Sequence, residues 1–169
     1  MEDGLIRDQL QQDDVVVRRL VEDAFRGRPY SDGREPAIVE ALRAAGALTV
    51  ALVAEEDGEI LGQVAFSPVA IDGAIRDWYG LGPVAVRPDR QGQGIGQALI
   101  RAGLDRIRAL GARGCVLAGA PGYYSRFGFT ADSRLQSPGI PPQYFLVLPF
   151  GAEVAEGTAT FHPAFEVEP

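Results

Sequence analysis

The sequence contains no lysine: all sixteen of its basic residues are arginine. Schiff-base chemistry on a lysine amine is therefore excluded, and so is a phosphate-binding loop of the GxxxxGK[ST] kind. There is one cysteine, Cys115, and one histidine, His162. No intramolecular disulfide can form, a Cys/His metal cluster cannot be assembled, and a reducing compartment, the cytoplasm, is expected. Long apolar runs are missing as well. The longest candidate, AGALTVALVA ending at Ala54, falls short of the roughly 18 residues of a membrane span. The opening MEDGLIRDQL is acidic, has no apolar core and is not expected to act as an export signal.

Acidic residues outnumber basic ones, 23 to 16, for a net charge of −7. A field of that sign repels nucleic acid and anionic lipid, so neither is an expected partner. The charge is uneven. Between Arg87 and Arg113 lie six arginines but only Asp89 and Asp105. That segment would draw an anionic ligand, although a solvated helix face would look the same. With 169 residues, 46% of them hydrophobic, the chain suits one domain that buries roughly 70% of its unfolded surface.

No repeat or linker divides it. LIRDQL reads as a short strand. DDVVVRRLVEDAF follows as a helix, with Asp13 or Asp14 as its cap and Val17, Leu20, Val21 and Phe25 on one face. EPAIVEALRAAGA is a second helix, with Pro36 in its first turn and Gly46 near its end. The period then changes to that of strands. Asp57-Gly58 and Asp72-Gly73 are hairpin signals that predict three antiparallel strands in succession. After a glycine loop, Ile95, Leu99, Ile100, Leu104 and Ile107 form the apolar face of a helix ending near Gly111. GCVLAGA, then PGYYSRFGF with a brief helix, then QYFLVLPF complete a mixed α/β arrangement of helices on a sheet.

The loop carries the strongest chemical signal. In VRPDRQGQGIGQALI, Gly92, Gly94 and Gly96 alternate between a strand and a helix. The start of a helix presents unpaired N–H groups and partial positive charge, and glycine lets backbone approach an anion closely. Arg87 and Arg90 are placed to add charge. A dinucleotide fingerprint needs G-x-G-x-x-G/A, but Gln97 or Leu99 occupies the last position, so a Rossmann reading fails.

The loop instead matches Q/R-x-x-G-x-G/A, with Gln91, Gly94 and Gly96 in the defining places. Twenty-eight residues beyond Gly96, YYSRFGF supplies a Tyr-x-x-x-Gly-Phe ending at Tyr124, Gly128 and Phe129. With these two motifs the sequence resembles the GNAT superfamily of acyl-CoA N-acyltransferases over roughly residues 5–150. The resemblance implies one acyltransferase domain over residues 1–169, with 151–169 as a C-terminal extension. It implies a central mixed, mostly antiparallel sheet, splayed at the cofactor site and flanked by helices on both faces. It also implies acetyl-CoA as acyl donor, with no metal. Gln91, Gly92, Gln93, Gly94, Ile95, Gly96 and Gln97 would hold the pyrophosphate, and Val84, Ala85 and Val86 would pair with the pantetheine arm as an added strand does. Gly80, Gly82 and Pro83 would mark the bulge or free edge where the strands part.

The implied reaction is direct attack of a neutral primary amine on the acetyl group in a ternary complex. Tyr124 matches the family's proton donor to the leaving thiolate, and Tyr123 beside it would pack or shape the acceptor pocket. The usual glutamate on the strand before the loop is missing. A water chain held by backbone carbonyls and Tyr79, Asp77, Glu55, Glu56 and His162 remain the candidate bases. Cys115 reads as a buried thiol, and Ser67 lacks the G-x-S-x-G context of a nucleophile. A non-catalytic acyl-CoA-binding module on the same fold is the alternative that the missing glutamate suggests. The acceptor, a small molecule or a peptide amine, would meet AFRGRPYSDGREP and QSPGIPPQYFLV, where Asp32, Glu35 and Glu40 would favour a cation. A free sheet edge near QYFLVLPF would allow two copies to pair as a homodimer.

Overall fold

Two aspartate–glycine pairs fold the middle of the chain. At Asp57-Gly58 φ is 53° and 80°, and at Asp72-Gly73 it is 49° and 79°, the double positive φ of a tight two-residue hairpin. These turns join β2 (Val50–Glu56), β3 (Glu59–Ile71) and β4 (Ala74–Val86) into an antiparallel meander. The structure is a computed structural model and describes residues 4–168. Outside β2 lies β1 (Leu5–Asp8), and beyond β4 follow β5 (Gly114–Ala118), β8 (Phe145–Pro149) and β6 (Thr130–Ala131). Along this path only β4 and β5 run parallel. The expected mixed, mostly antiparallel sheet is the one observed.

Helices cover both faces because alternate strand residues are apolar on both. Val17, Leu20, Val21 and Ala24 of α1 (Asp14–Phe25) pack with Val39 of α2 (Glu35–Ala44) onto Val53 and Ala85. On the opposite face Ile95, Leu99, Ile100 and Ile107 of α3 (Ile95–Ala109) meet Leu52, Val64 and Phe66. Each such side chain contributes about 1.5–3 kcal/mol when fully buried. No helix among the described residues is long and apolar enough to cross a membrane.

Two expectations are corrected. Asp13 is not a side-chain cap of α1. Its carboxylate, 5% exposed, is taken by Arg7 at 2.7 and 3.1 Å and by the Leu10 N–H at 2.7 Å, stronger partners than a helix amide because one of them is charged. The outer edge of β8 is not free: β6 pairs with it at Leu146 and Val147, and so short an edge strand offers little to a second copy. Residues 151–168 also add to the sheet. They supply β9 (Gly157–Thr160), which pairs with Ala70 and Ile71 of β3 and with β7 (Leu135–Gln136).

The centre of the sheet opens where the site lies. β4 pairs with β5 only from Trp78 to Gly80, and the sheet then splays. On the other edge of β4, Val84 faces Val64 while Leu81 faces Phe66, so Gly82 and Pro83 form a bulge, as their residue types predicted. Gln63, wholly buried on β3, donates from Nε2 to the Pro83 carbonyl at 3.1 Å and holds the bulge in place.

Candidate active site

Leu81 to Val86 run with β3 on one side and no strand on the other. Since a strand sends alternate N–H and C=O groups to each edge, this stretch leaves backbone donors and acceptors unpaired. The chain then makes a 3-10 turn at Pro88–Arg90 and reaches the glycine loop. Gly92 (φ 78°) and Gly94 (φ 84°) are left-handed, and nothing lies within 4 Å of where a β-carbon would sit on either. Glycine is needed there for backbone direction, not because the protein crowds it. At Gly96 a β-carbon would stand 3.5 Å from Val86 Cγ2 and 3.7 Å from the Tyr123 hydroxyl, so that face is also free of protein crowding. The first turn of α3 carries no acidic side chain. Its unpaired N–H groups and partial positive charge suit an anion.

The arginines that were expected to add charge are already engaged. Arg87 pairs with Asp89 at 2.7 Å and Glu59 at 3.1 Å, and Arg90 with Glu56 at 3.2 Å. Another guanidinium arrives from 63 residues away: Nη2 of Arg28, in the connection between α1 and α2, donates to Gln91 Oε1 at 3.0 Å. Gln91 Nε2 in turn donates to the Val86 carbonyl at 3.0 Å, fixing the loop to the end of β4. Neither Arg28 nor its role was visible in the sequence, because no local motif marks a cation that approaches across the fold.

The short helix α4 (Pro121–Tyr124) follows β5 and sets both tyrosines beside this opening. A β-carbon on Gly119 would come within 2.6 Å of the Tyr124 ring, so glycine at the end of β5 lets that ring lie against the chain. Burial pushes the Tyr124 phenol up from 10.0 to about 12, helped by the neighbouring Tyr123 and Tyr30 hydroxyls. Tyr124 donates no hydrogen bond among the described residues. Tyr123 is raised by burial but opposed by Arg126 and Arg101. Arg126 lies 4.4 Å over its ring.

A family model described as an acetyltransferase (GNAT) domain matches residues 48–131. The uncharacterised N-acetyltransferase YhbS of Escherichia coli K12 is 40% identical over 122 residues, covering 69% of this chain and 73% of that protein. The chain belongs to the GNAT family of acetyltransferases. Its fold is similar to a GNAT family acetyltransferase of Brucella melitensis crystallised with acetyl-CoA: TM-score 0.87 and 52% identity over 96% of this chain and 97% of that one. YhbS crystallised with CoA gives a TM-score of 0.89 and 32% identity over 98% of this chain and 93% of that one.

In this GNAT chain the carboxylates considered as bases are engaged or exposed. Glu55 is bound by Arg7 at 2.7 Å and Glu56 by Arg90. Asp77 is exposed at the far end of the β4–β5 pairing, where its carbonyl accepts from the Arg113 N–H. The His162 Nδ1 accepts from the Ala164 N–H at 3.0 Å, which leaves the proton on Nε2 in the neutral ring and no free lone pair for a base. Phe161 beside it packs where a Gly80 side chain would be. The acids thought to attract a cationic acceptor are committed too. Asp32 is bound by Arg34, Glu35 by Ser31 and Glu40 by Arg18. Cys115 is fully buried in the core with its thiol pushed far up by desolvation, and Ser67 is buried on β3. Among the described residues no group of three or more His, Cys, Asp or Glu is placed to hold a metal ion.

Proposed function

We propose that the protein transfers an acetyl group from acetyl-CoA to a primary amine by direct attack in a ternary complex. The observation that carries this reading is the end of β4–β5 pairing at Gly80, which opens the Leu81–Val86 edge beside the start of α3. The residues fit the donor: an open strand edge for an amide-bearing arm, and a glycine loop with clear space around Gly92 and Gly94 for a pyrophosphate. Acetyl-CoA supplies an activated thioester, whose carbonyl carbon bonds to the amine nitrogen as the carbon–sulfur bond breaks.

Each part of the chain then has a task. The amides of Gln91 to Gln97 hold the pyrophosphate, and Val84, Ala85 and Val86 offer backbone groups to the pantetheine arm. A backbone N–H near Val84 polarises the carbonyl. Tyr124 gives a hydrogen bond to the departing sulfur. Its raised pKa keeps it protonated at neutral pH, but it also makes the phenol a weaker acid than a free thiol of pKa ~8.5. Tyr124 therefore stabilises the leaving thiolate, and the sulfur's proton comes ultimately from the attacking amine. With Glu55 and Glu56 engaged, that proton leaves through water held by backbone carbonyls and Tyr79. The acceptor is a small-molecule or peptide amine, met by the α1–α2 connection and the approach to β8. The chain acts as one domain over residues 1–169. A cytoplasmic location fits its one cysteine, buried and unpaired.

Calorimetric titration of acetyl-CoA into the wild type and Gly94→Asp, with NAD as control, tests this reading. Acetyl-CoA binding that is lost in the variant is expected, since a carboxylate would face the pyrophosphate. If the wild type binds no acetyl-CoA at millimolar concentration, the reading fails.

A further inference from the structure

The ladder between β3 and β4 fixes which way each backbone group of the open strand points. The Arg87 N–H donates to the Leu61 carbonyl at 2.8 Å, one step beyond the pairing of Gly62 with Val86. Leu61 and Arg87 thus occupy a hydrogen-bonded position, and such positions alternate along an antiparallel pair. Ala85, opposite Gln63, therefore turns its N–H and C=O toward β3. Val84 and Val86, opposite Val64 and Gly62, turn theirs to the edge that has no strand. The Val86 carbonyl agrees, since the side chain of Gln91 donates to it from the glycine loop.

Gly82 and Pro83 interrupt this ladder just before Val84, and proline has no N–H to give to β3. The peptide that carries the Val84 N–H is the one whose carbonyl belongs to Pro83. In a planar trans peptide the C=O and the N–H point in opposite directions. Gln63 Nε2 donates to the Pro83 carbonyl from β3 at 3.1 Å, so fixing that carbonyl also aims the Val84 N–H at the open edge. A side chain supplies the tie that the bulge removes from the ladder.

Gln63 does this at the expense of stability. It is wholly buried, and its Oε1 finds no hydrogen-bond partner among the described residues. A buried oxygen left unpaired is destabilising, and the cross-strand neighbours of Gln63 are the apolar Val53 and Ala85. An apolar side chain of similar size would suit them better.

We propose that Gln63 is a positioning residue for catalysis: its amide holds the Pro83–Val84 peptide so that the Val84 N–H points at the carbonyl oxygen of the bound thioester. The inference rests on the acetyl-CoA reading above and deepens it by naming the side chain that aims the polarising N–H.

The test reads the C=O stretch of acetyl-CoA, isotope-labelled at its thioester carbonyl, by difference infrared spectroscopy on wild type, Gln63→Leu and Gln63→Glu. A hydrogen bond to the oxygen lowers this stretch, so the wild type should displace it below its value in free acetyl-CoA. Gln63→Leu should lose most of that displacement, with calorimetric affinity for acetyl-CoA within about tenfold of wild type, the share of one neutral hydrogen bond. Its resistance to urea should match or exceed that of the wild type. With any accepted amine its kcat should fall about ten- to a hundredfold. Gln63→Glu is the conservative variant: a protonated carboxyl can donate to Pro83, whereas a carboxylate only accepts. Its displacement should be near that of the wild type at low pH and vanish as the buried carboxyl ionises. A stretch unchanged in Gln63→Leu, or a Gln63→Glu displacement that is the same at every pH, overturns the proposal. So does a displacement lost in proportion to urea resistance, which would make Gln63 a structural tie, and so does a wild type that binds acetyl-CoA without moving the stretch. A wild type that binds no acetyl-CoA would instead defeat the acetyl-CoA reading itself.

Discussion

Tyr123 and Tyr124 stand edge to face, with ring centroids 4.9 Å apart and planes at 85°. Adjacent in sequence, they face different neighbours. Tyr123 turns its hydroxyl toward Gly96 at the start of α3, under Arg126. Tyr124 lies against Gly119 and Phe129, deeper and without a cation over it. Replacing each by phenylalanine should therefore separate two functions. Tyr124→Phe is expected to lower kcat by about a hundredfold, within the range for removing one hydrogen-bond donor from a developing anion, with little change in the KM for acetyl-CoA. Tyr123→Phe should act on that KM and spare kcat. Steady-state kinetics with any accepted amine reads both.

The Tyr124 environment also predicts a stability signature at high pH. Its phenol is raised in the folded chain from 10.0 to about 12. Above pH 10 the unfolded chain ionises first, so it binds fewer protons than the folded one, and stability falls as pH rises from about 10 to about 12. Denaturant unfolding across that window should show a shallower decline in Tyr124→Phe than in the wild type. Identical slopes would mean that Tyr124 is not buried in solution.

Arg7 forms the other consequential polar cluster. It bridges Asp13 and Glu55, joining β1, β2 and the start of α1. The Arg7 hydrogen bonds hold the Asp13 carboxyl below its usual 3.8, against the cost of burial. Arg7→Ala would strand a buried carboxylate and should cost about 3 kcal/mol at pH 7. Because the folded pKa is depressed, this contribution is present above pH 4 and is lost as pH falls below it. Urea unfolding of wild type and variant should accordingly converge as the pH is lowered past the ordinary carboxylate range.

Close packing between α3 and the sheet depends on one missing side chain. A β-carbon on Gly103 would run into the ring of Phe66, which is wholly buried on β3. Helix propensity favours alanine by ~1 kcal/mol, but overpacking costs about 1–3 kcal/mol. Gly103→Ala should therefore lower stability despite the better helix former. Paired with Phe66→Leu, which makes room, the alanine should recover part of the loss. A Gly103→Ala protein more stable than wild type would show that α3 shifts freely on the sheet.

The parts of this fold that were legible in the sequence are those encoded locally. Asp57-Gly58 and Asp72-Gly73 carry their own turn geometry, and Ile95 to Ile107 carry their own helical period. The glycine loop and the Tyr-x-x-x-Gly-Phe ending were legible for the same reason. What escaped depends on partners distant in sequence. β6 and β7 have two residues each, too few to alternate visibly, and exist because β8 and β9 supply hydrogen bonds. Asp13 looked like a helix cap until Arg7 claimed it. Arg87 and Arg90 looked free because their carboxylates, Glu59 and Glu56, belong to the preceding hairpin. Charge counted along a chain overstates what a site receives when the fold brings opposite charges to the same place.

The missing glutamate on the strand before the loop is the most consequential departure from the family pattern, and His162 tests what replaces it. It follows Phe161, which covers Gly80 where β4 and β5 part, so its place in the chain suggests a base. Its Nδ1, however, accepts the Ala164 N–H and caps the turn at Pro163–Glu166. Asparagine can accept that same hydrogen bond through its side-chain oxygen. His162→Asn is therefore expected to keep folding and kcat within about twofold, with a pH profile of kcat/KM that still rises as the acceptor amine loses its proton. A fall in kcat of about a hundredfold or more in a variant that still folds would instead make His162 the base and displace the water path. Activity retained without His162 would leave the deprotonated fraction of the amine, set by solution pH, as the control on rate.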